Sequence, residues 1–479
     1  MRTRRKFLQS CGTVAAAGAG AHVLRLGSLP AMAQSAPNYR ALVCVFLFGG
    51  NDGNNMIIPL DAARYQAYQT MRPNIALASN VLLPVAAGAG QVPYGLHPRL
   101  VNLQRLYNQR KAAMVFNVGT LVAPTTKSNL NSTTLPRNLY SHSDQTQQWQ
   151  TANPTLAGGS GWGGRMADLL AGQNSSTFPM GVSVNGSAAL LQGATSRPLN
   201  LTPGTALGLR RFGDSNAMNA REAGLQQLLT FDTGMQMIGA ASGVMASAVR
   251  GAQEINTALS SGTPLTTVFP QTGLGRQLQQ VATVMRVRQA LGMNRQIFFC
   301  GMGGFDNHSD QLPAQDNLMG QLDAAIGAFY TALEQDLQLA NETTVFTESE
   351  FGRTGNPSSS NGSDHAWGSH HFVLGGSVSG GEAYGTFPAH ALRGPDRVSE
   401  LPREGRALGP VRAVQHAGVS ERLPGTVWQD ADRGDGGGAA RDFQRQRRCR
   451  RHPAGWRDGS LLQEPGCRRP RRAIAAGAP

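Results

Sequence analysis

Imidazole and carboxylate side chains cluster in loops that follow predicted strands. Six of the ten histidines lie between residues 34 and 388, and five of those six fall in such loops. The densest group places Asp364, His365, His370 and His371 within eight residues. Three imidazoles and one carboxylate form a donor set that suits Zn²⁺, Mn²⁺ or Fe. The alternative is a solvated polar loop, because the preceding residues are rich in Ser, Gly and Asn.

Two further loops carry residues with the chemistry of metal ligands. Asp52 follows two glycines at the end of an apolar run, where a carboxylate can hold a hard or borderline cation. An Asx-type turn is an equal alternative for Asp52. Asp306 and His308 are two residues apart, which in extended backbone directs both side chains the same way. The alternative there is a helix N-cap at Asp306, Ser309 or Asp310, with His308 on the surface.

Hydroxyl groups near these loops supply candidate nucleophiles. Thr120, Ser141 and Ser143 follow the second predicted strand, and each would need a base or a metal ion to lower its pKa. One of the two serines is expected to cap the following helix instead. Arg353 has the planar donor fork that can bind an oxyanion; alternatively, it forms a salt bridge with a nearby glutamate.

An alternation of strands and helices must position these loops. Buried strands between helices predict an α/β fold with a central, mostly parallel sheet covered by helices on both faces. Ligands of such sheets bind beyond the carboxyl ends of the strands, which is where the polar loops fall. Apolar strand-like runs occupy residues 41–48, 112–118, 178–185, 296–302, 343–348 and 372–376, and helical patterns occupy residues 60–72, 98–109, 141–151, 162–171, 274–291 and 315–339.

Composition and charge exclude several classes of function. The 479 residues carry a net charge of +14, but the two ends supply most of it. Residues 34–388 contain 20 basic and 19 acidic residues, so a basic groove for nucleic acid is not expected. Five scattered cysteines fit neither a disulfide framework nor a cysteine zinc site. No apolar run has the length of a transmembrane helix, and no glycine-rich segment has the context of a dinucleotide site.

The amino-terminal segment has the features of an export signal. Arg4 and Arg5 begin an RRKFL motif, and residues 31–33 form an A-x-A cleavage site. Residues 1–33 are therefore predicted to be a twin-arginine signal peptide. The mature protein would be periplasmic or otherwise exported, with the twin-arginine translocase as its partner during export.

Composition also sets the predicted domain boundaries. Residues 34–388 are predicted to form the α/β domain, in which the Gly-, Ala- and Gln-rich residues 186–275 form a helical insertion or cap. Residues 389–479 are dominated by Arg, Gly, Ala and Pro and hold too little apolar surface for a core. Three interpretations compete: a disordered basic tail, a nucleic-acid arm, or out-of-frame translation of a GC-rich gene. The abrupt change of composition after Pro388 favours the last.

Taken in order, the motifs resemble those of one protein family. With the twin-arginine signal, they are similar to the bacterial exported family known as domain of unknown function 1501, which is related in fold to alkaline phosphatases and sulfatases. The resemblance covers roughly residues 1–388 and implies an alkaline phosphatase-like α/β sandwich. The motifs are FLFGGNDGNN (46–55), YSHSDQ (140–145), GGFDNHSDQ (303–311), SEFGRT (349–354) and DHAWGSHHFVLGG (364–376).

The resemblance also implies a set of metal ligands. Asp52 matches the first metal-binding aspartate of the superfamily, and Asp306 and His308 match its later Asp/His pair. Glu350 lies where the superfamily has an Asp-His pair after the next strand, but this sequence has Glu-Phe there. His365, with His370 or His371, matches the final histidine. The residues carried over are Asp52, Asp306, His308, Glu350, His365 and one of His370 and His371.

The function implied is an exported, metal-dependent hydrolase of phosphate or sulfate esters. A divalent ion (Zn, Mn, Ca or Mg) would generate hydroxide or activate Ser141 or Ser143, and Arg353 would bind the oxyanion. A small-molecule ester or a glycan would be the substrate. No sulfatase-type Cys/Ser-x-Pro-x-Arg motif follows the second strand, so formylglycine chemistry is not expected. Two alternatives stay open: a non-catalytic envelope binding protein on the same fold, and a truncated, inactive product of a frameshift.

Overall fold

The computed structural model describes residues 39–388 apart from 87–91, 126–128, 156–157, 205–214, 232–233 and 261–263. The predicted signal peptide and the predicted tail lie outside the described residues. Within the described ranges, no helix combines the length and the apolar character that crossing a membrane requires.

Thirteen strands form within the described residues, in one large sheet and two small ones. They are β1 (Arg40–Leu47), β2 (Ile57–Pro59), β3 (Leu83–Pro84), β4 (Tyr94–Leu96), β5 (Ala112–Val118), β6 (Gly181–Ser183), β7 (Leu199–Asn200), β8 (Arg295–Met302), β9 (Thr343–Glu348), β10 (Gly352–Arg353), β11 (His365–Ala366), β12 (Ser369–Leu374) and β13 (Ala383–Tyr384).

Nine α-helices and three short 3-10 helices lie within the same ranges. The α-helices are α1 (Gly53–Met56), α2 (Ala62–Met71), α3 (Val101–Asn108), α4 (His142–Thr151), α5 (Trp162–Leu170), α6 (Asn216–Thr230), α7 (Gln236–Ser260), α8 (Gly273–Arg286) and α9 (Gln311–Gln335). The 3-10 helices are Ser79–Val81, Ala171–Gln173 and Ala189–Leu191.

The large sheet has the strand order β13-β5-β12-β9-β1-β8-β6-β7. Among its described strands, β12 alone runs against its neighbours, β5 and β9, and the other pairings are parallel. The sequence of β1, RALVCVFL, explains its central place, because nearly all of its side chains are apolar and buried. The predicted α/β fold with a central, mostly parallel sheet and flanking helices is confirmed.

The helices pack on the sheet through apolar faces. α9 packs against α8 and α3, while α5 packs against β6 and β8. A single large cluster of buried apolar residues joins the sheet to these helices. The ends of the central strands are thereby held rigidly, which is what a site built on their loops requires.

The segment predicted as a helical insertion contains α6 and α7, which contact each other. No residue of α6 is buried, and the first half of α7 exposes Met237, Ile238, Val244 and Met245. Only the second half of α7 has buried residues, and it contacts β7. The boundaries of the insertion stay a prediction.

Candidate metal centre

The loops that carry the predicted ligands meet at one edge of the large sheet. β1, β5, β8 and β9 end at this edge because they are parallel, and β12 begins there because it runs the opposite way. β10 and β11 form a two-stranded ribbon that places Arg353 opposite His365. Residues separated by more than 200 positions are thus brought together by strand order alone.

Two glycines allow the loop after β1 to pass close beneath these residues. Gly49 and Gly50 have positive φ angles of 117° and 81°. A side chain at Gly49 would overlap the backbone of Asp306, and one at Gly50 would overlap the ring of Phe351. Glycine is therefore required by both backbone conformation and space. The close approach lets the Gly49 N–H donate a 2.8 Å hydrogen bond to Glu350 Oε1.

Asp306 lies at the centre of a cluster of three histidines. Its Oδ1 lies 2.9 Å from Nε2 of His308 and 3.0 Å from Nε2 of His365. Its Oδ2 lies 3.4 Å from Nε2 of His142. The Nε2 atoms of His308 and His365 are 3.1 Å apart. All four side chains are partly exposed, so the cluster is open to solvent.

Two carboxylates orient two of these histidines. Nδ1 of His142 lies 2.7 Å from Oε1 of Glu350, and Nδ1 of His308 lies 3.0 Å from Oδ1 of Asp364. An ionised carboxylate only accepts hydrogen bonds, so both Nδ1 atoms donate, and in the neutral imidazole each Nε2 presents a lone pair to Asp306. Oε2 of the buried Glu350 has no hydrogen-bond partner among the described residues, and a ligand role for Glu350 stays a prediction.

A backbone carbonyl orients the third histidine. Tyr140 has a left-handed backbone, with φ of 68°, and its carbonyl accepts a 3.0 Å hydrogen bond from Nδ1 of His365. Nε2 of His365 therefore also presents a lone pair to Asp306. In their neutral forms, the three imidazoles turn lone pairs toward one carboxylate, whose Oδ1 also accepts from Arg353. A bound cation resolves this arrangement, which matches the usual anchoring of metal-ligating histidines.

The distances within the cluster fit a common metal ion. Ligands about 2.0–2.1 Å from a tetrahedral Zn²⁺ lie about 3.3 Å from each other. The four ligand-to-ligand distances in the cluster run from 2.9 to 3.4 Å. One ligand atom from each of His142, Asp306 and His365 lies within 4.8 Å of the other two. These three residues can hold one metal ion, and His308 lies beside them in contact with Asp306 and His365.

The pKa values in the cluster reflect the same contacts. Burial alone would raise the pKa of Asp306, but its contacts with His365 and Arg353 outweigh burial and lower the pKa to about 2. The hydrogen bond with Glu350 raises the pKa of His142, with burial acting against it. Burial lowers the pKa of His365 despite its contact with Asp306. Asp306 is therefore ionised, as a metal ligand must be.

Arg353 is fully buried beneath the cluster, and protein acceptors surround its guanidinium group. Nε donates to the carbonyl of Gly50 at 2.9 Å, and Nη1 donates to that of Ser363 at 2.8 Å. Nη2 donates to the carbonyl of Phe305 at 2.9 Å and to Oδ1 of Asp306 at 2.6 Å. The predicted role of Arg353 as an oxyanion ligand finds no support in this geometry. The residue is instead a fixed cation that holds Asp306.

Asp52 is buried and bound to another arginine. Its Oδ2 accepts from Nη2 of Arg72 and from Nε2 of Gln311, and its Oδ1 accepts from the backbone N–H of Asn54 at 3.1 Å. Arg72 is itself fully buried. The described contacts of the Asp52 carboxylate are thus with protein donors and not with the histidine cluster. Its role as a metal ligand stays a prediction that this geometry does not favour.

His370 and His371 lie inside β12, because that strand begins at Ser369 and not at residue 372 as predicted. Nδ1 of His370 accepts a 3.1 Å hydrogen bond from the backbone N–H of Asn117. The His371 ring faces Trp149, with its ring centroid 5.8 Å away. These contacts are with residues outside the cluster around Asp306, and a ligand role for His370 or His371 stays a prediction.

The burial of His371 predicts a pH-dependent loss of stability. Neither ring nitrogen has a hydrogen-bond partner among the described residues, and burial lowers the pKa from its usual 6.5 to about 3. The unfolded chain therefore binds a proton first as the pH falls below 6.5, and the folded state loses up to about 5 kcal/mol by pH 3. Above pH 6.5 this effect is absent.

Urea unfolding of His371→Leu against the unmodified protein at pH 7 and pH 5 checks this prediction. The variant should gain stability relative to the unmodified protein as the pH is lowered, since leucine has no proton to bind. An unchanged difference between the two pH values would contradict the buried, neutral state of His371.

The predicted nucleophiles have other partners. Ser141 caps α4, as expected of one of the serines, and its Oγ donates to Oδ2 of Asp144 at 2.6 Å. Oγ of Ser143 lies 3.3 Å from that of Ser141. Oγ1 of Thr120 accepts from Gln145. None of the recorded contacts of these hydroxyls within the described residues is to the cluster, so a catalytic role for Ser141 or Ser143 stays a prediction.

Sequence reasoning missed His142 as a member of the ligand set. It placed His142 on the correct edge of the sheet but assigned the YSHSDQ motif to helix capping and nucleophiles. The position of His142 was the signal that was missed. It is the first residue after the N-cap Ser141, in a helix that follows a strand, and this places it at the edge of the sheet where the strands end. The supporting role of Tyr140 has no side-chain signal, because its carbonyl makes the contact.

Comparisons with known proteins add little about activity. No curated protein matches the chain. Among solved structures, a crystal structure of a mutant of the alkaline phosphatase PafA matches with 12% identity and a TM-score of 0.26. The match covers 67% of this chain and 64% of that one, so the chain spans less than two thirds of the phosphatase's length. A match at this TM-score supports no conclusion about function.

The family comparison is decisive for membership. The family described as "Protein of unknown function (DUF1501)" matches residues 39–401, which include β1 to β13 and every member of the histidine cluster. That range covers well over half of the chain. The chain therefore belongs to the DUF1501 family.

Proposed function

We propose that this protein is an exported, metal-dependent hydrolase of phosphate or sulfate esters. One observation carries the proposal: three histidines, each anchored through Nδ1, turn their Nε2 atoms toward the carboxylate of Asp306 at a solvent-open edge of the sheet. Such a group is costly to assemble without a cation that compensates it. The position at the carboxyl ends of parallel strands is also where α/β enzymes bind their ligands.

The donor set favours some metals over others. Three imidazole nitrogens and one carboxylate suit Zn²⁺, Mn²⁺ or Fe²⁺, whereas Ca²⁺ and Mg²⁺ prefer oxygen ligands throughout. Of the four ions expected from the sequence, Zn²⁺ and Mn²⁺ therefore fit best. Such an ion supplies Lewis acidity toward an ester oxygen and acidifies water.

The protein's own residues would do the rest by positioning. Glu350, Asp364 and the Tyr140 carbonyl fix the tautomer and the direction of the three imidazoles. Arg353 holds Asp306 in its ionised form. The exposed side of the cluster admits substrate, and a small-molecule ester or a glycan ester fits an open site of this kind. Water is the favoured nucleophile, because the recorded contacts of Ser141 and Ser143 lie elsewhere.

A second function has an observation in its favour. The nitrogen atoms of the Arg353 guanidinium donate hydrogen bonds to protein acceptors. Within the described residues, no contact joins a nucleophilic side chain to the cluster. A protein that binds a metal, or a ligand through a metal, without catalysis would need neither group. The proposed cellular location is the same for both functions and rests on residues 1–33, whose twin-arginine motif lies outside the described residues.

The hydrolase proposal predicts metal-dependent cleavage of simple esters. The protein loaded with Zn²⁺ or Mn²⁺ should release nitrophenol from nitrophenyl phosphate, bis(nitrophenyl) phosphate or nitrophenyl sulfate, and a chelator should abolish that release. His308→Ala should lose the activity, because it removes one anchored imidazole. Asp316→Asn, at an exposed salt bridge with Arg99, is the matched control and should keep it.

The outcomes separate the two functions. Tight metal binding with no cleavage of any of the three esters would reject the hydrolase in favour of the binding protein. Cleavage that survives both the chelator and His308→Ala would show that the cluster is not the catalytic site.

A further inference from the structure

We infer that the site binds one divalent cation and not two, because the buried arginines Arg72 and Arg353 already neutralise the carboxylates that a second ion would need. The inference rests on the proposed metal centre. It departs from the resemblance noted in the sequence, which assigns Asp52 to the same metal-binding set as Asp306. In this chain the two carboxylates have different counter-ions.

Protein donors bind both oxygens of the buried Asp52 carboxylate. Oδ2 is bound by Nη2 of Arg72 and Nε2 of Gln311, and Oδ1 is bound by the N–H of Asn54. Arg72 is fully buried and Asp52 is 4% exposed, so neither group can turn outward to solvent without breaking the packing around it. Coordination by Asp52 would place a divalent ion against a buried guanidinium, and the repulsion would not be screened by water.

Arg353 is linked by hydrogen bonds to Asp306 in the histidine cluster and, through Ser363, to the residue that binds Asp52. Its Nη2 contacts Oδ1 of Asp306, and its Nε and Nη1 contact the carbonyls of Gly50 and Ser363. The Oγ of Ser363 in turn donates to Oε1 of Gln311, the residue that binds Asp52. A continuous set of hydrogen bonds therefore connects the two arginines. The region beside the cluster is occupied by a fixed cation with its donors in use.

Charge balance gives an independent argument. The acids around the cluster are Asp306, Glu350 and Asp364, and Arg353 offsets one of their three negative charges. One divalent cation on neutral imidazoles brings the sum to zero. A second would leave two uncompensated positive charges in a partly buried site, at a large desolvation cost. The Asp52–Arg72 pair is neutral by itself and contributes nothing to the balance.

Counting bound ions tests the inference directly. The full chain, stripped by a chelator and re-equilibrated with excess Zn²⁺ or Mn²⁺, should carry one tightly held ion per chain by native mass spectrometry and elemental analysis. Two tightly held ions would overturn the inference and leave the proposed metal centre intact. No tightly held ion would overturn both. The count on the unmodified protein does not depend on how any variant folds.

A variant tests the role assigned to Arg72. Arg72→Met leaves the Asp52 carboxylate buried without its cation, so a second ion should now bind and raise the count from one to two. Arg99→Met, which removes an exposed arginine from a salt bridge with Asp316, is the matched control and should stay at one. A folded Arg72→Met protein that still binds a single ion would overturn the assignment of Arg72 as the group that excludes the second.

Discussion

Replacing Asp306 with asparagine is expected to weaken binding of Zn²⁺ or Mn²⁺ by more than about 100-fold, since losing even an outer-shell partner of a metal site costs about 10–100-fold. Asp306 contacts all three histidines of the cluster through its two oxygens. The substitution keeps the shape of the side chain and removes the charge that compensates the cation. Competition with a chromophoric chelator measures the change in affinity.

The comparison variant for this experiment is Asp316→Asn. Asp316 is an acid on α9 that pairs with Arg99 at the surface, so its loss should leave metal affinity unchanged. If Asp306→Asn bound the metal as tightly as Asp316→Asn, the carboxylate at the centre of the cluster could not be a ligand, and the assignment of the site would fail.

Replacing Arg353 with methionine is expected to lower the free energy of unfolding by about 3–5 kcal/mol, because each buried acceptor left without its donor costs about 1–3 kcal/mol. The variant leaves Asp306 without its cation and leaves the carbonyls of Gly49, Gly50 and Ser363 without the guanidinium donor. Urea unfolding in the presence of a chelator measures this loss without any contribution from bound metal.

Two controls identify the cause. Arg353→Lys keeps the charge but not the planar fork, so it should restore only a small part of the stability, because one ammonium group cannot reach four acceptors at once. Arg99→Met removes an exposed arginine and should have a much smaller effect. Equal losses in Arg99→Met and Arg353→Met would contradict the structural role assigned to the buried guanidinium.

The sheet could be predicted from the sequence because its central strands are continuous apolar runs. Residues 41–48 and 296–302 are almost wholly apolar, so their burial on both faces was readable. Residues 343–348 are half Thr, and their β-branched and aromatic side chains made that strand readable. The beginning of β12 was not readable. Its first residues, Ser369, His370 and His371, are polar, and only their pairing with β5 buries them. Tertiary context overrode local composition there.

The positions of the candidate ligands were more predictable than their partners. The rule that loops after parallel strands meet at one edge placed Asp306, His308 and His365 correctly near each other. It also placed Asp52 on that edge but could not show that Arg72, twenty residues later at the end of α2, would reach back to it. Which cation neutralises a given carboxylate depends on side-chain packing that no spacing rule contains.

The position of β1 between β8 and β9 has a consequence for folding. β1 ends at residue 47, yet its two neighbours begin at residues 295 and 343, so the first strand has no partner until most of the domain has been synthesised. Contacts across such separations carry a high loop-closure cost and form slowly. Until then both backbone edges of β1 are unpaired and its apolar side chains, including Val, Cys and Phe, are exposed. Such a segment favours chaperone binding or aggregation. The cluster at Asp306 contains residues from 142 to 365, so it can form only after β8 and β9 have paired with β1.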